Sequence, residues 1–203
     1  MKPLKPKAPP ALIESERIFL RKHDIKQAKT MFDCVNRDRK RLEKFLPWVG
    51  RTKTVGDEAD FIKTTHQWWK ELKHFDFSIV RKSDNAYMGN IGIHSIKWER
   101  YSCEIGYWIT SDFEGQGYMS EAVRALESEM FKLGFNRVQI CCSTVNARSA
   151  NVPRACGYKF EGTIRQDGVD LGKFRDTLVF GKLKKEWKAL KSQRKLRIGA
   201  RSA

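Results

Sequence analysis

SCEIGYWITSDFEGQGYMSEAVRALESEMFKLG, Ser102 to Gly134, is the stretch whose reading decides the fold. It reads as a strand, a short loop holding Gly115-Gln116-Gly117, and a helix. Ala122, Val123, Leu126, Met130 and Leu133 fall on one helical face, and Gly134 is a good terminator. The first N–H groups of a helix have no partners within it, and the helix dipole favours negative charge there. A glycine loop at that point can hold an anionic group, although a lone GxG loop is as often a plain turn.

Arg137 to Val145 follows as a further strand. Two strands joined by a helical crossover must run parallel. If they splay at their C-terminal ends, they leave a slot. A ligand with a pyrophosphate and a long polar arm fits such a place. The pyrophosphate would sit on the amides of Gly115 to Met119, and the arm would pair with Ser102–Thr110 like an added strand.

The remaining elements are read outward from this core. Glu16 to Arg21 alternates as a short strand, and Asp24 is a candidate N-cap for Ile25, Ala28, Met31, Phe32 and Val35 at helical spacing. Pro47 and Gly50 break the next basic stretch. A second helix is expected from Asp57 through Lys73. Its Phe61, Trp68 and Trp69 exceed what one buried stripe needs, so part of it is expected to line a cleft. Phe75–Arg81 and Tyr87–Trp98 form a hairpin around Ser83-Asp84-Asn85, with Gly89 and Gly92 marking a bulge or a close approach. Asn146 to Cys156 is a loop and short helix. Tyr158–Ile164 and Phe174–Leu183 are strands around a turn at Asp167-Gly168. The fold class is α+β (mixed α/β), with a mostly antiparallel sheet, one parallel pair and helices on both faces.

The chain of 203 residues is long enough for one sizeable core. One domain is expected over 12–187, between a Pro/Lys-rich tail, 1–11, expected to be extended and disordered, and a basic tail, 188–203. No run of 18 apolar residues occurs, so no transmembrane helix is expected. MKPLKPKAPP lacks the apolar stretch of a secretory signal. Five cysteines without a CxxC pair suggest free thiols and a cytoplasmic setting. The four histidines, His23, His66, His74 and His94, are scattered and read as structural or surface residues; no cluster has metal-ligand spacing. Net charge is +16, of which residues 1–10 carry +3 and 181–203 carry +8, leaving +5 for the body. Such tails suit an anionic partner (RNA, a ribosome or an acidic protein), or they serve solubility.

Several motifs in order, EIGYW, GQGYMSEA, the N-x-x-S of Asn146 to Ser149, GYKFEG and FRDTLVFGKL, resemble the GCN5-related N-acetyltransferases (GNAT). The likeness is strongest to the RimJ/RimL-type enzymes, which acetylate the N-terminal amine of ribosomal proteins, and it covers about residues 14–187. The resemblance implies the GNAT fold, with six or seven strands and a splayed parallel pair. It also implies acetyl-CoA as donor and no metal. The family's phosphate loop falls on Asp112 to Gly117, with Asp112 where Gln or Arg is usual. The resemblance therefore assigns the donor to Trp108, Ile109, Gly115, Gln116, Gly117, Tyr118, Met119, Asn146 and Ser149.

The chemistry needs a neutral amine. An α-amine has a pKa near 8 and a lysine near 10.4, so the α-amine costs roughly 3 kcal/mol less to deprotonate at neutral pH. Glu104, sharing a strand face with Gly106 and Trp108, is the candidate base. Many family members donate a proton to the leaving thiolate from a tyrosine on the helix after the parallel strand. No tyrosine lies between Asn146 and Gly157, and Ser149 is the candidate in its place. Pro153 removes one backbone donor from that helix, so a carbonyl near Ser149 is expected to be left free. Cys142 matches a cysteine of RimL-like proteins. It has no basic partner to activate it, so direct attack on the thioester is expected. The expected acceptor is the N-terminus of a ribosomal or other acidic protein, with ribosome or RNA contact through the tails. A small amine (a polyamine or an antibiotic) and a non-catalytic CoA- or ribosome-binding protein are the alternatives, and the sequence leaves a homodimer open.

Overall fold

A computed structural model describes residues 4–170 and 172–199. Its strands form one sheet in the order β1 (Leu12–Glu14), β2 (Ile18–Lys22), β3 (Phe75–Arg81), β4 (Tyr87–Lys97), β5 (Ser102–Ile109), β6 (Arg137–Ser143), β8 (Lys173–Leu183), β7 (Lys159–Asp170). All neighbours are antiparallel except β5 and β6, which are joined through α4 (Tyr118–Lys132) and run parallel. Strand alternation gives the sheet two apolar faces. Phe75, Phe77, Ile79, Ile91, Ile93, Cys103 and Ile105 pack with Ala122, Val123, Leu126 and Met130 of α4. Tyr87 and Trp108 face the other way, toward Met31 and Val35 of α1 (Ala28–Arg37) and Ile62 of α3 (Val55–Lys70). A four-residue α2 (Arg39–Leu42) and α5 (Ala147–Cys156) complete the helices around the site.

The sheet has eight strands rather than six or seven. The additional one, β1, pairs Leu12 with Arg21 and Glu14 with Phe19, and three residues are too few for alternation to be visible. The N-terminal segment lies along the body: Leu4 and Ala8 pack on the core, and Leu4 covers Gly134. Residues 1–3 of the expected tail lie outside the described residues. Thr54, not Asp57, is the N-cap of α3, and Asp57 reciprocates as the third residue of a capping box. The turn expected at Asp167-Gly168 is a bulge. Pairing resumes at Gly168↔Arg175, with Gln166 N–H held by Asp176, and the chain reverses at Gly172. Most of the basic C-terminal segment belongs to α6 (Lys184–Gly199), where Trp187 meets Phe131 at 5.3 Å; residues 200–203 lie outside the described part. Gly89 stands at a bulge, and Trp108 O lies 2.3 Å from where a Cβ would be, so the close approach read from the sequence is real. No helix among the described residues is long and apolar enough to cross a membrane.

Candidate active site

β5 and β6 share three rungs, Ser102↔Arg137, Cys103↔Val138 and Glu104↔Gln139, and then diverge. Beyond Glu104 and Gln139 the facing backbone edges of the two strands no longer pair with each other, and on β5 the Ile109 carbonyl is taken instead by Arg41. Thr110 N–H donates to Met88 O at 2.8 Å, which fixes the phase of the β4–β5 ladder. By antiparallel alternation, the backbone of Trp108 faces β4, whereas the N–H groups of Tyr107 and Ile109 face the slot. Of the two slot partners expected on this strand, Ile109 has the needed orientation. Trp108 bonds its backbone toward β4, and its ring, on the face of α1 and α3, meets Trp48 at 6.0 Å and Tyr87 at 6.1 Å.

The loop between β5 and α4 is held from outside and open within. Gly115 and Gly117 take φ of 72° and 79°, the left-handed region that suits glycine. Gly117 occupies the N-cap of α4 and caps with no side chain, so the first-turn N–H groups lack that partner. Glu114 accepts Arg41 Nη1 and Arg148 Nη1, each at 2.5 Å, and Arg41 Nη2 binds Ile109 O at 2.7 Å. Gln116 donates to Asp112 O at 2.7 Å. Arg17 bonds Gln116 O at 3.2 Å and lies 4.3 Å over the Tyr118 ring. Tyr118 and Met119 are buried, so what they offer this loop is backbone. Asp112, the departure from the usual loop pattern, is paired with Arg37 at 2.9 Å.

On the α1/α3 side a cleft of about 490 Å³ opens over the sheet. Trp48, Phe61 and Trp68 wall it, and Asn90, Gly92, His94 and Gly106 form its floor. Glu104 stands at the vertex of the slot. One oxygen accepts Gln139 Nε2 at 2.9 Å; the other is 4.0 Å from His94 Nε2, on the opposite rung of the β4–β5 ladder. A Cβ at Gly106 would come 2.9 Å from His94 Nε2, so that glycine makes room for the imidazole. His74 lies 2.9 Å from Asp76 and stacks on Trp68 at 4.9 Å, with its ring 5.7 Å from His94. Burial lowers the His94 pKa and His74 adds to this, against the fields of Glu104 and Asp76; the ring is neutral at neutral pH. Two histidines read as scattered thus meet beside Glu104. The signal available was cross-strand: residues 90, 92 and 94 share the face of 104, 106 and 108 once the hairpin is registered.

At the far side of the slot, Asn146 caps α5 by accepting Ser149 N–H at 3.1 Å. Pro153 cannot donate to Ser149 O, and Tyr107 Oη fills the place at 3.0 Å. The carbonyl expected to be free is therefore used to tie β5 to α5, and burial pushes the Tyr107 phenol pKa up. Burial also raises the Cys142 thiol, with the Ser149 hydroxyl opposing. Ser149, Tyr107 and Cys142 gather here, and Tyr107 was the member that sequence reading missed. No group of three or more His, Cys, Asp or Glu among the described residues could hold a metal ion.

The acetyltransferase (GNAT) domain profile matches residues 17–159. YdaF of Bacillus subtilis, whose name assigns it provisionally to ribosomal N-acetylation, is 28% identical over 87% of this chain and 97% of its own. The ribosomal-protein-serine acetyltransferase of Escherichia coli is 26% identical over 75% of this chain and 84% of its own. Among solved structures, RimL, a ribosomal L7/L12 α-N-protein acetyltransferase in complex with coenzyme A, superposes with a TM-score of 0.81. The match covers 85% of this chain and 97% of that one at 21% identity, a likeness of fold.

Proposed function

This chain belongs to the acetyltransferase (GNAT) domain family, and we propose that it transfers acetyl from acetyl-CoA to the N-terminal α-amine of a protein, a ribosomal protein foremost. It is an N-acetyltransferase by family and by its relatives. The choice of acceptor draws on the relatives' names and on a net charge of +16 suited to an acidic partner. The observation that carries the reading is the end of β5–β6 pairing at Glu104↔Gln139. It leaves the Glu104 carboxylate at the head of the gap, 4.0 Å from His94 of the cleft, which supports a base between donor and acceptor.

The donor's chemistry is that of a thioester, whose carbonyl is open to an amine. The uncapped start of α4 and its two left-handed glycines suit a pyrophosphate, and the slot-facing amides of Tyr107 and Ile109 suit the arm. An N–H aimed at the carbonyl oxygen stabilises charge as it develops; one such donor is typically worth about 100–1,000-fold in rate. Glu104 takes the amine proton, directly or through water, with neutral His94 beside it as a second acceptor. Ser149 is the group we assign to the departing sulfur, on the Tyr107 side of the slot.

The test is CoA release with N-terminal peptides beginning Ala, Ser or Met, with spermidine, and with no acceptor. Peptide-dependent release is expected. Silence with every acceptor overturns the enzymatic reading, and spermidine turnover above that of every peptide overturns the acceptor.

A further inference from the structure

The acceptor cleft holds a carboxylate that no step above uses. Glu58 of α3 is 3% exposed, lines the cleft, and its Oε1 has no hydrogen-bond partner among the described residues. A buried carboxylate oxygen without a partner is costly, and natural sites rarely leave one so. Arg39, whose charge reaches it, spends its guanidinium on Asn36, Val49 O and Thr52 O. Asp57, on the same helix, adds repulsion, so burial and a like charge together push the Glu58 carboxyl up to about 7. A second carboxylate, Asp76, lies on the β3 side of the same cleft, 6% exposed and facing His74. Aromatic rings of Trp48, Phe61 and Trp68 wall the space. Acceptor oxygens within aromatic walls fit a cation.

We infer that Glu58 anchors a second, positively charged group of the acceptor, an amine distinct from the one acetylated near Glu104. This rests on the acetyl-transfer reading and narrows its acceptor to molecules or peptide ends with two amines within the reach of one cleft. Arg51 also lines the cleft, so the local charge is two carboxylates, Glu58 and Asp76, against one guanidinium, whereas the excess positive charge of the whole chain is concentrated toward its ends.

The test compares matched acceptors in the full-length protein: N-terminal peptides with Lys at the first or second position against the same peptides with norleucine. At one of the two positions Lys is expected to raise kcat/KM by about tenfold or more. In Glu58→Gln the ratio of Lys to norleucine should fall to about one. Equal kcat/KM for Lys and norleucine at both positions, or a ratio that survives Glu58→Gln, overturns the inference. A second arm needs no turnover: 1,4-diaminobutane should raise the melting temperature of the wild type more than butylamine does, and Glu58→Gln should abolish the difference. Equal shifts in the wild type overturn the subsite. Silence of every acceptor in the kinetic arm, with the binding difference intact, would instead count against acetyl transfer alone.

Discussion

Glu104 has a different neighbour on each oxygen: the amide of Gln139 within hydrogen-bond distance, and the imidazole of His94 just beyond it. The first orients the carboxylate and the second leaves it free to accept a proton. Glu104→Gln keeps the shape and removes the basicity. It should lower kcat by about 100-fold or more while acetyl-CoA affinity stays within about twofold. Steady-state kinetics beside a binding titration checks this. An equal loss in both would mean that the carboxylate only supports the slot. Glu104 was legible in the sequence because Glu104, Gly106 and Trp108 share one strand face at two-residue spacing. His94 and Tyr107 were not. His94 meets Glu104 through hairpin register, and Tyr107 finds its partner in Ser149, forty-two positions along the chain, through a vacancy that Pro153 creates.

At the scale of elements, the strand–loop–helix unit around α4 is where sequence and structure agree most closely. Its apolar stripe, its glycines and its terminator are all local signals. Gly117 tests the loop cleanly. A Cβ there would find only Arg17 Nη2, 3.6 Å away, so the cost of Gly117→Ala is conformational rather than steric. The left-handed φ of 79° should cost about 1–2 kcal/mol of stability. Relaxation of the loop should also raise the KM for acetyl-CoA more than it lowers kcat. Thermal melts and donor titrations separate the two effects, and an unchanged KM would remove the loop from the donor site. The elements that sequence reading missed have non-local causes. β1 exists because β2 offers an edge, and α6 opens where Glu186 takes the Leu183 N–H at 2.9 Å and Trp187 reaches Phe131. The β7 bulge forms because Asp176 across the ladder holds Gln166.

For the whole molecule, two buried titratable groups tie stability to pH in opposite senses. Burial lowers His23 to about 4, with Asp76 and Asn90 opposing and His66 adding. The unfolded chain takes up that proton first, so His23 costs stability as pH falls from 6.5 toward 4. Glu58, at about 7 in the fold against an ordinary 4.5, keeps a proton that the unfolded chain has lost, so its cost grows as pH rises between those values. Two and a half pKa units correspond to at most about 3 kcal/mol. The stability difference between Glu58→Gln and the wild type, from urea unfolding, should therefore be flat below pH 4.5. It should climb in favour of the variant to about pH 7, and level off above. A difference constant across pH would mean that Glu58 is hydrated in the native state.

The splay has a further consequence for cooperativity. β1 to β5 and β6 to β8 are two ladders joined by three rungs and one crossover helix. Such a junction can breathe without either ladder unfolding. A molecule lying in the gap would act as a missing strand, and its binding energy would fuse two folding units into one. Hydrogen exchange should register this as slowing at the amides of Tyr107 and Ile109 when acetyl-CoA is present, together with melting that sharpens as the donor is added. In this enzyme, the substrate would also serve as part of the sheet.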